Sequence, residues 1–435
     1  MNTTITQPLV PNTFGQYVRS MGPGLVVAVT WLGAGDLVDS SVAGGHYGYS
    51  LMWAMVIALF VRFVFVSIIA KYHLCNQRCE SVMAGLKRIH RVLPLFVGLV
   101  ALVFGHFYGS YLIKGTGETT TRLLGVLPPW AWSVFWVVVA AVFLYRGAYR
   151  QIEMVFYIFL AMLSVSLIGV AIWSGPNPIA AAKGVFLFAI PEQKGPFSAF
   201  LVITLLIGAV GGSIANLLYP YFMQQKGWRG AQYRRLQHYD LAFGTLVLIL
   251  LNLSVWTIGA EVLNPRGITV TDLDDLANLL TLTFGKLGGP IFYFGVFAAL
   301  YSSVTGNATG YGLMCADIAN VSRTSEAAAI TETNVTDSSI YRWVAAWCLF
   351  SPLIWSLPGM PGFVALTLIA NAAAVVELPL LCASLWYITA RTAYIGPVYR
   401  NGNWENGLMA GLFVLSVWGA YQSVIAIAAA LHSSL

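Results

Sequence analysis

The sequence predicts an all-α polytopic membrane protein, and its composition carries that prediction. Of 435 residues, 58% are hydrophobic and only 9% are charged, and the mean hydropathy is +0.74. A soluble globular chain has about a quarter of its residues charged, so an ordinary soluble enzyme is excluded. The aromatic content of 14% and the net charge of +6 exclude a disordered chain. The basic residues form short clusters rather than a dense face, which excludes a nucleic-acid binder.

Long apolar segments recur along the whole chain. A bilayer-spanning helix needs about 20 apolar residues, and eleven segments meet that requirement: 22–45, 48–70, 94–118, 130–146, 152–174, 197–225, 238–260, 289–317, 341–357, 362–389 and 407–431. Between the seventh and the eighth, the segment 270–285 places acidic residues around apolar positions. This pattern predicts a short helix at the membrane surface.

The short loops give an orientation. Most of their Lys and Arg residues fall on the side that carries the N-terminus, for example Arg88, Arg234 and Arg235. Cytoplasmic loops carry this excess, so we expect the N-terminus in the cytoplasm, the C-terminus outside, and a bacterial inner (plasma) membrane as the location. Residues 1–20 lack the apolar core of a signal peptide, and no cleavage is expected there.

The segments also divide into two halves of five, and an odd number makes the second half enter the membrane from the opposite side. That is the requirement for an inverted repeat, whose first helices are broken and bind substrate at the breaks. The predicted organisation is a cytoplasmic tail (1–21), a first repeat (22–174), an extracellular loop (175–196), a second repeat (197–389), and a last part with a cytoplasmic loop, the eleventh helix and the extracellular C-terminus (390–435).

The first segment carries glycine and a carboxylate in mid-span. Gly33 and Gly35 flank an alanine, and Asp36 follows at once. Glycine weakens a helix and a charge at this depth is expensive, so the pattern predicts an unwound stretch around a polar ligand. A close helix–helix crossing is the alternative, but it leaves Asp36 without a role. Asp39, one turn on, either joins the site or faces another helix.

The sixth segment is interrupted at the equivalent place. Gly211 and Gly212 precede a polar stretch at 213–216, and Pro220 follows. Unwound carbonyl groups in such a stretch can serve as oxygen ligands where they line a cavity. A simple proline kink is the alternative, but it does not explain the paired glycines upstream.

The tenth segment supplies another intramembrane acid, Glu377, with Asn371 six residues earlier. A charged carboxylate at this depth needs a cation, a basic partner or a proton. Lys114 and Arg62 are candidate salt-bridge partners for the intramembrane acids, and this structural interpretation remains open beside the ion site.

One further cluster invites interpretation as a metal site: His73, Cys75, Cys79 and Glu80. Its spacing fits no strong zinc pattern. We therefore favour a polar helix end.

Several motifs together resemble the Nramp divalent-metal transporters. They are Gly-Pro-Gly at 22–24, the glycine break at 33–36, the run Ala-Gly-Gly-His-Tyr-Gly-Tyr at 43–49, Ser-Ser-Val-Thr-Gly at 302–306 and Leu-Pro at 378–379. The resemblance covers about 20–430. It implies a LeuT-like (APC) fold with a 5+5 inverted repeat, an eleventh helix and broken helices 1 and 6, and divalent-cation transport by alternating access.

The departures from the family pattern concern the metal ligands. The family's first-helix motif is Asp-Pro-Gly-Asn, whereas 33–36 reads Gly-Ala-Gly-Asp. Its sixth-helix Met-Pro-His is replaced by Ala-Asn-Leu at 215–217. The metal-binding aspartate, the thioether and the histidine are thus lost, and a carboxylate stands at the asparagine position.

Further departures concern the third and tenth helices. The acidic pair that the family ties to proton movement aligns with Tyr108 and Leu112. The tenth-helix glutamine aligns with Asn371, and Glu377 is an addition. This pattern is similar to the Nramp-related magnesium transporters, a prokaryotic branch of the superfamily.

The chemistry of the remaining donors points the same way. Thioethers favour softer metals, whereas oxygen donors suit Mg²⁺, which keeps several waters and takes one or two carboxylates. We therefore expect a secondary transporter of Mg²⁺, and also of Mn²⁺, that is not proton-coupled. The predicted ion site comprises Asp36, Gly33, Ala215, Asn216, Asn371 and Glu377.

The remaining expectations follow from that function. No catalytic residues and no resident cofactor are expected, and the partners are the divalent ion and the lipid bilayer, with a monomer as the simplest state. The alternatives are a proton-coupled Mn²⁺/Fe²⁺ importer of the ordinary Nramp type, an amino-acid or organic-cation symporter of the same fold, and a membrane scaffold that transports nothing.

Overall fold

The structure, a computed structural model, describes residues 10–24, 34–146, 164–191, 213–267, 285–323 and 338–433, and single positions at 161, 203, 206, 272, 274, 275, 277 and 281. All regular structure in these ranges is helical. In chain order the α-helices are α1 (Phe14–Ser20), α2 (Ala34–Tyr47), α3 (Met52–Cys75), α4 (Val82–Ile89), α5 (Val92–Leu124), α6 (Pro129–Arg146), α7 (Ser164–Trp173), α8 (Pro178–Phe186), α9 (Tyr219–Gln225), α10 (Arg234–Ile258), α11 (Gly288–Arg323), α12 (Ser339–Phe350), α13 (Phe363–Ala390), α14 (Thr392–Ile395) and α15 (Asn403–Ser433).

Short 3₁₀ and π turns extend several of these helices. A 3₁₀ turn at Ile214–Leu218 leads into α9, and a π turn at Gly259–Leu263 continues α10 into a 3₁₀ turn at Asn264–Arg266. Three more 3₁₀ turns occur: Ala231–Tyr233 precedes α10, Gly285–Leu287 precedes α11, and Ser351–Ser356 follows α12.

Five helices in the described part of the chain are long and apolar enough to cross a bilayer: α3, α5, α10 with its 3₁₀ and π extensions, α13 and α15. A sixth span is possible if α7 and α8, bent by 114° at their junction, form one crossing. α11 has 36 residues, yet it is not among them, because buried polar residues such as Ser303 and Thr305 interrupt its apolar character. These two side chains are buried within the protein.

Most helices coincide with the predicted segments, with longer ends. α5 runs to Leu124, six residues beyond the predicted end, and it stops where Gly125 adopts a φ of 68°. Threonines at 119–121 continue the helix by bonding their hydroxyls to its own carbonyl groups, which satisfies polar groups without help from neighbours. A helix thus persists past the end of the apolar run.

The predicted loop at 175–196 also contains a helix, α8. The Asn177 side chain accepts hydrogen bonds from the backbone N–H groups of Ile179 (3.1 Å) and Ala180 (3.0 Å), and Pro178 occupies the first turn. This cap starts a helix in a region that hydropathy alone assigns to a loop. The predicted surface helix at 270–285 lies mostly outside the described residues, although Asp274 there forms an ion pair with Arg122 of α5.

Small residues bring the central helices close together. α5 packs most extensively against α11, α13 against α15, and α10 against α3 and α2. A side chain in place of Gly44 on α2 would collide with the Trp256 carbonyl group of α10, and one in place of Gly109 on α5 with Pro352. Such contacts drive helix association in lipid, where the hydrophobic effect between helices is weak.

Two polar clusters mark opposite ends of α10. Near its beginning, Asp240 accepts hydrogen bonds from the backbone N–H of Gly22 (2.8 Å) and from the Tyr219 hydroxyl (2.9 Å). Beyond its end, Glu261 accepts from the Tyr49 hydroxyl (2.9 Å) and from the Asn177 backbone N–H (3.0 Å). At 1.5 Å per residue the two acids are about 30 Å apart. The clusters therefore hold segments of both halves together at the two ends of α10.

Candidate ion-binding site

For each of the two predicted helix breaks, the structure describes only the residues that follow the glycines. Gly33 and the glycines at 211 and 212 lie outside the described residues, as does all of 25–33 and 207–212. The description resumes at Ala34, where α2 begins, and at Ser213, which precedes the 3₁₀ turn Ile214–Leu218. The described part of the candidate site therefore consists of the first turn of α2, the 3₁₀ turn Ile214–Leu218 and the helices that surround them.

Asp36, in the first turn of α2, is buried and paired with a cation. Its Oδ2 atom lies 3.1 Å from Nη1 of Arg62 on α3, with the two side chains 8% and 4% exposed. An isolated charge of either sign would be very costly at this depth, so each group compensates the other. The pair is an intramembrane salt bridge, as the structural interpretation of the sequence allowed.

Asp39 lies one turn further along α2 and contacts α13. The Asn371 amide donates a hydrogen bond to Asp39 Oδ2 at 2.8 Å, and Asn371 is 9% exposed. Of the two possibilities left open for Asp39, the contact with another helix is observed. That helix carries a predicted ion ligand, so the contact also brings Asp39 to the site.

The start of the sixth-segment turn is tied to α5 and α13. Ser213 accepts a hydrogen bond from the Ala215 backbone N–H (3.2 Å), and its hydroxyl lies 3.0 Å from that of Tyr108. Glu377 Oε1 accepts from the Ile214 backbone N–H at 3.2 Å. Because the first N–H groups of a helical turn lack partners within the turn, a carboxylate stabilises this end. Asn216, fully buried in the same turn, follows directly.

Tyr108 connects the two halves of the site. The phenol is buried, and Glu377, Arg62 and Asp36 are all close enough to act on it electrostatically. Arg62 likewise lies within range of Asp39. The predicted residues Asp36, Ala215, Asn216, Asn371 and Glu377 are thus brought into one region where α2, α3, α5, α13 and the 3₁₀ turn meet.

The charges of this region add to a simple total. Three carboxylates, those of Asp36, Asp39 and Glu377, contribute −3 when ionised, and the guanidinium of Arg62 contributes +1, which leaves −2. Glu377 itself makes no salt bridge among the described residues. A net charge of −2 in a buried setting matches one divalent cation.

Lys114, the other candidate salt-bridge partner, and His106 of the same helix are engaged elsewhere. Lys114 donates to the backbone carbonyl groups of Trp355 (3.3 Å) and Met360 (3.1 Å), not to an intramembrane acid. His106 Nε2 accepts from the Trp355 indole N–H at 2.8 Å, and Nδ1 lies 2.9 Å from the Ser351 hydroxyl. Because an indole N–H only donates, Nε2 carries no proton in this arrangement.

The cluster at 73–80 is not a metal site in the described structure. No group of three or more His, Cys, Asp or Glu side chains with metal-binding geometry occurs among the residues that the structure describes. Glu80 instead accepts hydrogen bonds from the Tyr72 hydroxyl (2.6 Å) and from Arg88 (2.7 Å). These contacts agree with the interpretation as a polar helix end.

The sequence did not predict which partners two of the site residues contact. Arg62 was a candidate partner for any intramembrane acid, but nothing in the sequence selected Asp36, 26 residues away. The Tyr108–Ser213 contact joins residues 105 apart and had no sequence signal. The one available signal was the presence of a single arginine inside the apolar segment 48–70, which requires an anionic partner at that depth.

Curated relatives are a little under a quarter identical to this chain over the aligned residues. A divalent metal cation transporter MntH from Chromohalobacter salexigens is 24% identical over 317 residues, 67% of this chain and 69% of the relative. The protein of the same description from Bacillus subtilis is 22% identical over 312 residues, which are 68% of this chain and 70% of that protein.

Solved structures show the same fold. The manganese transporter of Eremococcus coleocola, in complex with an aromatic bis-isothiourea substituted compound, superposes with a TM-score of 0.78 over 97% of this chain and 91% of that chain, at 16% identity. MHP1, a nucleobase-cation-symport-1 family transporter in a closed conformation, superposes with a TM-score of 0.56 over 93% and 91%, at 12% identity. The prediction of an all-α polytopic membrane protein with the LeuT-like fold is confirmed.

A family profile covers almost the entire chain. The family described as natural resistance-associated macrophage protein-like matches residues 24–426, which include both carboxylates of α2, the 3₁₀ turn at 214–218 and all of α13. Together with the fold, this match makes the chain a multi-pass membrane protein that belongs to the Nramp family.

Proposed function

We propose that this protein is a secondary transporter that carries Mg²⁺, and also Mn²⁺, across the membrane by alternating access. The observation that carries the proposal is the group of three carboxylates and one guanidinium between α2, α3 and α13, in which Asp39 is half-buried and the other three side chains are buried. Its net charge is −2 when all three acids are ionised. The relatives' description as divalent metal cation transporters supports a divalent ion as the substrate.

The donor set supports a hard cation. Near the first turn of α2 and the 3₁₀ turn, the potential metal ligands are the carboxylates, the amides of Asn216 and Asn371, and backbone carbonyl groups. All of them can offer oxygen atoms. Hard cations such as Mg²⁺ prefer these ligands, whereas thioether and thiolate groups select softer metals. Ala215 offers no side-chain donor, so a bound ion keeps water in that direction.

The proposed roles follow from position. Asp36 is the main ligand, either directly or through a coordinated water, and carbonyl groups near Gly33 and Ala215 are proposed to complete the polar cavity around the ion. Asn216 and Asn371 supply amide oxygens, and Glu377 adds charge from α13. The ion is a substrate, and no resident cofactor belongs to the proposal.

The proposal includes the topology that the basic loops predict. The N-terminus (1–21) lies in the cytoplasm of a bacterial cell, the repeats occupy 22–174 and 197–389 with the loop 175–196 outside, and the last part (390–435) ends outside. The unit is a monomer. Transport is not coupled to protons, because Tyr108 and Leu112 stand where the family has its acidic pair.

A second candidate is a Mn²⁺ importer of the ordinary Nramp type. The observation that favours it is the similarity to a solved manganese transporter, and oxygen ligands accept Mn²⁺ as well as Mg²⁺. The loss of the thioether and histidine positions argues for Mg²⁺ as the better substrate.

The deciding experiment is ion uptake into liposomes that contain the purified protein. Uptake of Mg²⁺ and Mn²⁺ is followed with ion-sensitive dyes, Ca²⁺ serves as a third ion, and protein-free liposomes are the control. The proposal expects Mg²⁺ uptake that Mn²⁺ inhibits. Uptake of Mn²⁺ alone supports the second candidate, and uptake of no divalent ion rejects both.

A further inference from the structure

Arg62 occupies an unusual place for a basic side chain. It lies near the middle of the 24-residue helix α3, and it is 3% exposed. With 1.5 Å of rise per residue it is about 15 Å from the start of α3 and about 20 Å from its end, so its guanidinium cannot reach the membrane surface. Its Nη1 atom is 3.1 Å from the carboxylate of Asp36, the residue assigned as the main ligand of the ion.

A guanidinium and a divalent ion exclude each other at this carboxylate. Both are cations, and at contact distance in a buried setting their repulsion is not screened by water or salt. The hydrogen bond from Arg62 occupies Oδ2 of Asp36, so an ion or coordinated water that takes this oxygen has to displace the guanidinium.

We propose, on the basis of the transport function proposed above, that Arg62 is a tethered cation that occupies Asp36 in the ion-free transporter and is displaced when the divalent ion binds. In the ion-free state the salt bridge neutralises a carboxylate that would otherwise be exposed, unpaired, to the membrane interior. The empty transporter can then change its access state. In the loaded state the ion takes the same place.

The surroundings of Arg62 provide a destination for the displaced side chain. Asp39 lies three residues after Asp36 on α2, hence on the same helix face, and within electrostatic range of Arg62. Asp39 is held by the Asn371 amide at 2.8 Å. When Arg62 moves to Asp39, Asn371 is released from that bond, and its amide oxygen can turn towards the ion. One displacement thus frees two ligands.

A second ion pair on α3, formed by Lys71, contains none of the proposed ion ligands. Lys71 of α3 lies 2.6 Å from Glu405, with side chains 7% and 26% exposed. Its acid belongs to α15, outside the group of carboxylates at α2 and α13. The Lys71–Glu405 pair joins two helices and has no ion ligand in it, so it provides a matched control.

The test separates net transport from exchange. Liposomes containing wild type, Arg62→Gln or Lys71→Gln protein are assayed for net Mg²⁺ uptake into ion-free vesicles and for exchange of external ²⁵Mg²⁺ against internal Mg²⁺. Exchange needs only the loaded transporter to change its access state, whereas net uptake also needs the empty one to return.

For Arg62→Gln we expect exchange within about threefold of wild type, net uptake reduced by about tenfold or more, and Mg²⁺ binding tighter by about tenfold, since a competing cation is gone. For Lys71→Gln we expect exchange and net uptake to change by the same factor. The proposal is overturned if exchange and net uptake change in parallel in Arg62→Gln. If wild type shows neither activity, the transport function itself fails, which is a different result.

A second measurement covers the case in which Arg62→Gln does not fold. Removing one partner of a buried pair is strongly destabilising, whereas Arg62→Lys keeps the charge. Wild type labelled with ¹³C,¹⁵N-arginine is examined by infrared difference spectroscopy on addition of Mg²⁺, and the Arg62→Lys protein identifies the band that belongs to Arg62. A Mg²⁺-induced shift of that guanidinium band is expected. A carboxylate change with no shift of this band contradicts displacement.

Discussion

Replacing Asp36 by asparagine is the most direct test of the ion site. Asp36→Asn keeps the shape of the side chain and removes its charge, so the total of the buried group changes from −2 to −1. The amide still contacts Arg62, whose guanidinium then faces no carboxylate on α2 except Asp39. We expect Mg²⁺ uptake to be lost at concentrations that saturate the wild type.

The size of the effect follows from the charges. Two unit charges about 4 Å apart interact by about 4 kcal/mol at an effective dielectric constant of about 20, so a divalent ion beside Asp36 gains up to about 8 kcal/mol. Desolvating the carboxylate and the ion offsets much of this. We take the net interaction between the ion and Asp36 after desolvation as about 3 kcal/mol. Its loss lowers Mg²⁺ affinity by roughly a hundredfold.

A double variant separates charge from ligation. Asp36→Asn combined with Arg62→Gln restores a total of −2 without restoring the ligand. It also removes the unpaired guanidinium, and replacing both members of a buried pair is far better tolerated than replacing one. If Asp36 is a ligand, the double variant remains impaired by about tenfold or more, whereas an effect of total charge alone predicts recovery.

The assay is Mg²⁺ binding by calorimetry together with uptake into liposomes, both normalised to monodisperse protein. Asp317→Asn is the matched control: Asp317 is a half-buried carboxylate on α11 that accepts a hydrogen bond from the Tyr221 hydroxyl (2.9 Å) and does not contact the site residues. It should change affinity by less than about threefold. Wild-type affinity and uptake in well-folded Asp36→Asn protein remove Asp36 from the ion site.

Three further outcomes are expected. Glu377→Gln should weaken Mg²⁺ binding by about tenfold, less than Asp36→Asn, since Glu377 already receives the Ile214 N–H; an unchanged calorimetric affinity contradicts its contribution to the site. Mg²⁺ uptake should not acidify the liposome lumen, because neither the phenol of Tyr108 nor the side chain of Leu112 carries protons at neutral pH; metal-dependent quenching of an internal pH dye shows coupling instead. Ala215→Met combined with Gly33→Asp should favour Mn²⁺ over Mg²⁺ by adding direct ligands, and an unchanged competition ratio in active protein places selectivity elsewhere.

The sequence by itself determined the class of the molecule and the location of its unusual residues. Hydropathy is a local property, so apolar runs predicted α3, α5, α10, α13 and α15 without knowledge of any contact. A carboxylate inside such a run can be identified in the same way, because placing a charge at that depth costs free energy whichever residues surround it. Where local capping decided the outcome, as at Asn177 and Pro178 of α8, hydropathy alone missed a helix.

The tertiary structure decided which polar groups meet. Asp36 and Arg62 are 26 residues apart, Ile214 and Glu377 are 163 apart, and Asp39 and Asn371 are 332 apart. Each pairing depends on how two helices are rotated about their axes and at what depth they cross, and one residue more or less turns a side chain by about 100°. A sequence shows that a buried arginine needs an anion, but several anions were available. Packing of small residues between the helices selects one arrangement, and with it the acid that Arg62 neutralises.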